Sequence, residues 1–161
     1  MNNIIKDSTD RKKRNFTFNY KKAIETILYI ADNAPVHDVY RTLKIILFAN
    51  KNHHQQYGCP IYHDNYVALR HGTVPIHTYY IITSVNFKRH TKFTEEAAEY
   101  FRVTPRPIHT IIPIKKADTK LLTKSEKECL NNAIDTYDKL SMTKLKELSY
   151  VEGVGNNDWI L

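Results

Sequence analysis

Two apolar runs at helical spacing, separated by one short break, constrain this chain more than any other feature. In the first, Tyr20, Ala23, Ile24, Ile27, Leu28 and Ala31 recur every three or four positions up to Asn33-Ala34-Pro35. The second extends from near Val36 to Tyr57. Its face is Val39, Leu43, Ile46, Leu47 and Asn50, prolonged by His54, and Gly58 stops it. Helices joined by so few residues are expected to pack as an antiparallel pair. A chain of 161 residues built on such a pair can bury a core without disulfide or metal staples.

The later segments continue the helical theme. Thr73 is positioned to cap a third helix, with Pro75 tolerated in its first turn, reaching about Phe87 through Ile76, Tyr79, Tyr80 and Thr83. The stretch FTEEAAEYF suits one short helix capped by Thr94. Ile108, Thr110, Ile112 and Ile114 then alternate with period two behind a Pro105-Arg106-Pro107 turn, which reads as a small β-hairpin. Thr123 and Glu126 form a capping box opening a helix that buries Cys129, Leu130, Ala133, Ile134 and Tyr137. Ser141 caps a last short helix carrying Leu145 and Leu148, and EGVGNNDWIL is read as an irregular tail. The expected fold is mainly α, a compact domain of five or six helices with a minor β-hairpin.

Charge divides the chain unevenly. The net charge is +7, of which residues 1–22 supply +5, so the remainder is nearly neutral. Residues 1–15 are therefore expected to be a basic, flexible arm, and residues 16–161 the domain. Such an arm is either a solvated tail or a phosphate-binding segment. No window approaches the roughly 18 apolar residues of a membrane span, and the N-terminus lacks the pattern of a secretory signal. Cys59 and Cys129, far apart and outside any CxxC, suggest reduced thiols in a cytoplasmic protein.

Residues 57–80, YGCPIYHDNYVALRHGTVPIHTYY, concentrate the chemistry-bearing side chains. His53, His54, Cys59, His63 and His71 offer zinc-type ligands, but adjacent histidines on a helix point about 100° apart and no HExxH is present. No metal or cofactor is expected. A Cys/His hydrolase centred on Cys59 and His63 is conceivable, with Asp64 orienting a histidine or merely filling a turn. The YGCPI context carries no nucleophile signature. There is no GxSxG and no glycine-rich phosphate loop, so no enzyme is expected. Tyr57, Tyr62, Tyr66, Tyr79 and Tyr80 bring large amphipathic groups of the kind favoured at protein interfaces, and equally at the edge of a core.

LKIILFANKNHHQQYGCPIYHDNYVALRHGTVP, with LTKSEKECLNNAIDTYDKLSMTKLKELSY downstream, resembles the Panacea domain, the SocA-like antitoxin family also found in phage proteins. Leu47, Phe48, Ala49 and Asn50 correspond to that family's helix, and Tyr57, Gly58, Pro60 and Ile61 to its exit. Asp64, Tyr66 and Ala68 match the following segment, Gly72 and Val74 the turn, and Leu148 and Ser149 the late helix. Departures are Asn50 where Asp is usual, Leu69 for Trp, the Arg70-His71-Gly72-Thr73 turn, and Tyr150 for His, with Trp159 a shifted counterpart of a late Trp.

The resemblance implies binding rather than catalysis: neutralisation of a toxin by direct stoichiometric contact, or adaptor action that presents it to a protease machine. The partner is then a cognate toxin or another host or phage protein. Element-end and irregular positions of the hallmark segments give the expected partner-binding residues, Tyr62, Tyr66, Arg70, His71, Tyr150 and Trp159. The competing readings are a phage- or plasmid-borne DNA-binding regulator using the basic arm, for which no exposed basic recognition helix is evident, and the hydrolase above.

Overall fold

The computed structural model describes residues 17–86, 92–105 and 107–154. The expected basic arm lies outside them. Six α-helices and two small antiparallel two-stranded sheets make up the described fold, which is mainly α.

Helix α1 (Tyr20–Asn33) starts where the Asn19 side chain accepts from the Lys22 N–H at 3.0 Å and ends before Pro35. Helix α2 (Val39–Tyr57) starts at Asp38, whose carboxylate accepts from the Arg41 N–H at 2.8 Å. It ends at Gly58 in the left-handed conformation, φ 79°. Every residue from Arg41 to Asn50 is buried, so this stretch of α2 is surrounded by protein rather than amphipathic. It touches α1, but its most extensive packing is with α5 (Lys124–Tyr137), where Phe48 stacks on Tyr137 at 4.0 Å. The Thr123–Glu126 capping box opens α5 as its sequence predicts. At the far end of α2 the buried residue is His53, not the expected His54.

The segment after Gly58 departs from the expected helix start. Strands β1 (Tyr66–Leu69) and β2 (Gly72–Pro75) form a hairpin around the two-residue turn Arg70-His71. Thr73 is thus a buried strand residue, and α3 (Ile76–Asn86) takes its cap from Asp64 instead. One Asp64 oxygen accepts from the His77 N–H at 2.9 Å. The other accepts from the Thr78 N–H at 3.0 Å and the Thr78 hydroxyl at 2.7 Å. Burial raises the Asp64 carboxyl above its ordinary range, against the opposing pull of these donors.

The second hairpin joins β3 (Phe101–Val103) to β4 (Ile111–Pro113). The alternating apolar run supplies one strand, as expected. Phe101, read as part of a helix, lies in the other, and Thr94 falls inside α4 (Lys92–Ala97) rather than capping it. The α1–α2 connection adds to this sheet through a bridge between Asp38 and Thr110. Helix α6 (Met142–Val154) begins with Ser141 accepting from the Lys144 N–H at 3.1 Å, and it continues into the stretch read as an irregular tail. It packs against both strands of the first hairpin and against α2.

Candidate functional site

Four polar side chains buried on α2, those of Arg41, Lys44, Asn50 and His53, fasten neighbouring segments. The Arg41 guanidinium donates to the carbonyls of Tyr137, Asp138 and Leu140 at the end of α5. Asn50 accepts from the Ile61 and Tyr62 N–H groups and donates to the Tyr66 hydroxyl at 2.9 Å. His53 donates through Nδ1 to the Cys59 carbonyl at 2.5 Å, which leaves Nε2 to accept from the Ser125 hydroxyl at 2.9 Å.

Lys44 is the least expected of these residues. It is fully buried, and its ammonium donates to the Thr73 carbonyl at 2.6 Å and lies 5.0 Å from the centre of the Tyr40 ring. No carboxylate among the described residues pairs with it. Burial lowers its pKa to about 8. The same desolvation pushes the Tyr40 hydroxyl up to about 12, with Tyr150 adding to it.

These values fix a pH dependence. Between pH 8 and 10 folded Lys44 sheds its proton while an unfolded lysine keeps it, so its contribution to stability rises with pH, against opposing contributions from the Cys129 thiol and the tyrosines, whose pKa burial raises. Above 10 the unfolded tyrosines ionise before Tyr40 does, and stability falls. Measured by urea denaturation, the change in stability from pH 8 to 10 should be about 2 kcal/mol more favourable in the wild type than in Lys44→Met. An equal change in the two proteins would remove Lys44 as its source.

Lys44 lies beneath the first hairpin. The Thr73 N–H donates to the Ser149 hydroxyl at 3.3 Å, and the Tyr150 hydroxyl donates to the Leu69 carbonyl at 2.7 Å, so α6 holds both strands. The turn residues Arg70 and His71 are exposed, with the His71 ring edge-on to Tyr40 at 5.6 Å. They border a groove of about 1120 Å³ enclosed by the start of α2, the hairpin, the loop before β4 and the start of α6.

Of the residues expected to meet a partner, Arg70 and His71 line this groove and half-buried Tyr150 braces its wall. Tyr62 is a core residue, 3% exposed, with its hydroxyl bonded to that of Thr78 at 2.7 Å; as folded it presents no surface to a partner. Half-buried Tyr66 packs on the Leu47, Phe48 and Leu145 cluster. Trp159 lies outside the described residues. Sequence reading missed Lys44 and the groove residues Ile108, Met142 and Lys146. A lysine inside TLKIILFAN was the one available signal, and nothing local distinguishes it from a lysine extended to solvent.

Cys59 is exposed and is tied to His53 through its carbonyl oxygen. Burial and neighbouring His54 lower the pKa of His63. Among the described residues no group of three or more His, Cys, Asp or Glu is placed to hold a metal ion, and no helix is long and apolar enough to cross a membrane.

No curated protein and no solved structure matches the chain. A family model described as "Antitoxin SocA-like, Panacea domain" matches residues 43–154, from the buried centre of α2 through both hairpins to the end of α6. With most of its length covered, Lys44, the Arg70-His71 turn and Tyr150 included, the chain belongs to the SocA-like antitoxin family and carries its Panacea domain.

Proposed function

We propose that this protein is an antitoxin that silences a protein toxin by forming a stoichiometric complex with it. The carrying observation is the antitoxin-family domain over residues 43–154. The geometry agrees with binding rather than turnover. Arg41, Lys44, Asn50 and His53 of α2 are occupied in fastening neighbouring segments, and the Arg70-His71 turn stands exposed at the rim of an apolar groove. Arg70, His71 and Tyr150 are the contact residues of this reading. Arg is among the side chains that contribute most when desolvated at an interface.

The test is co-expression with the product of the neighbouring gene, scoring growth rescue and the ratio of the two proteins after co-purification. Rescue with a fixed-ratio complex is expected. Arg70→Glu should weaken the complex by about 2 kcal/mol, roughly thirtyfold, with melting unchanged because the side chain is exposed. Toxin that disappears from rescued cells only while a protease is active would identify adaptor action. Rescue at far substoichiometric levels, abolished by Cys59→Ala in a folded protein, would indicate an enzyme and end this reading.

A further inference from the structure

The groove beside the Arg70-His71 turn combines two properties that together specify an occupant. Its floor is apolar, formed by Val39, Leu43, Leu69 and Val74. Its border carries three of the exposed large apolar side chains of the described fold, Val36 at 45%, Ile108 at 65% and Met142 at 39%. Apolar groups gathered around one concave surface mark an interaction site more strongly than the same groups scattered singly.

The charge around this floor that is not engaged in an ion pair has one sign. Arg70 and Lys146 line the groove, and no carboxylate among the described residues pairs with either. The acidic lining residue, Asp38, is engaged by the Arg41 guanidinium at 3.4 Å and by the α2 N-terminus. Behind the wall, the Lys44 ammonium lies against Tyr40, which itself lines the groove. An apolar trough with a basic rim is complementary to a helix whose apolar stripe is flanked by Asp and Glu. Nucleic acid would meet the basic rim but leave the floor without a partner.

We propose that this groove receives an acidic amphipathic segment of the partner protein. Its apolar side chains lie on the Val39–Leu43–Val74 floor and its carboxylates face Arg70 and Lys146. This inference rests on the antitoxin reading above, and it specifies where and with what chemistry that binding occurs.

A displayed library of random peptides about 16 residues long, roughly four helical turns, tests it against the full-length protein. Enriched peptides should carry apolar residues at helical spacing with flanking Asp and Glu. Their binding should weaken about tenfold or more with Ile108→Asp or Lys146→Glu. Ile114→Asp, equally exposed but outside the groove, should leave it unchanged. All three positions are exposed or half-buried, and melting curves should confirm that each variant folds.

Enrichment of basic or uncharged peptides, or binding indifferent to Ile108→Asp, overturns the proposal. So does a homodimer in sedimentation that Ile108→Asp dissolves, which assigns the groove to a second copy of the chain. Preferential binding of a DNA duplex that is lost with Lys146→Glu overturns it as well. The toxin co-expression separates the two levels of inference. If Ile108→Asp rescues growth as well as the wild type, the groove assignment fails and the antitoxin reading stands. If the wild type itself does not rescue, the antitoxin reading fails.

Discussion

Gly72→Ala should lower the stability of the fold by about 4 kcal/mol, through two costs that add at one atom. Gly72 has φ 103°, a conformation that residues with a Cβ rarely adopt, which costs roughly 1–3 kcal/mol. The new methyl would stand 2.3 Å from the Ser149 hydroxyl and 2.7 Å from the Lys44 ammonium, inside ordinary contact distance of both. Both neighbours are buried, and the ammonium is held on the Thr73 carbonyl, so neither can retreat without losing a hydrogen bond. Overpacking of this kind costs roughly 1–3 kcal/mol more.

In a chain of this size such a loss is expected to lower the melting temperature by about 10 °C or more. Adding Ser149→Ala to Gly72→Ala should recover part of the loss, because the closest atom is gone while the backbone strain persists. A Gly72→Ala protein within about 1 kcal/mol of the wild type would mean that the turn reshapes freely. The hairpin would then be no rigid support for Arg70 and His71.

That hairpin is also where sequence and structure part. Helices α1, α2 and α5 were legible because their signals are local: apolar period, the Asn33-Ala34-Pro35 break, the Thr123–Glu126 box, and Gly58 as a stop. Ser141 belongs with them, although α6 runs further than its sequence suggested. The turn Arg70-His71 carries none of the Asn-Gly or Asp-Gly chemistry that announces a two-residue hairpin. Thr73 before Pro75 imitates a helix start, while the side chain that caps α3 comes from Asp64, twelve residues before Ile76 and invisible to any local pattern.

The same limit governs the candidate site. Arg70 and His71 are exposed, as expected of an irregular segment between two elements. Tyr62 is buried, and its inward direction depends on Thr78, on the far side of the hairpin, which no local pattern announces. The buried state of Lys44 could not be read either. Residues 41–50 are enclosed on every side, so no helical phase separates inward from outward positions there. That loss of phase also let His54 stand in for His53.

Arg41→Ala is expected to cost a comparable 3–4 kcal/mol, for a reason that also explains how the groove keeps its shape. Arg41 is 9% exposed, and a single guanidinium nitrogen donates to the carbonyls of Tyr137 at 3.3 Å, Asp138 at 2.8 Å and Leu140 at 2.7 Å. These carbonyls close the C-terminal end of α5, where helix dipoles leave partial negative charge and several acceptors lack intrahelical donors. Truncation strands them in a buried place and leaves the Asp38 carboxylate beside them without its cation; breaking a buried charged contact from one side costs roughly 3–5 kcal/mol. Arg41→Lys keeps the charge but loses the planar fork, and should recover less than half of the loss. Urea denaturation of both variants measures this directly. Since Met142 and Lys146 follow the fastened loop within one turn or so of α6, loosening it should also weaken occupancy of the groove beyond the loss of stability, read as a drop in peptide affinity at temperatures where Arg41→Lys is fully folded. Arg41→Lys as stable as the wild type would show that α5 and α6 need only a nearby positive charge, and the three-carbonyl clasp would then not be what sets the groove wall.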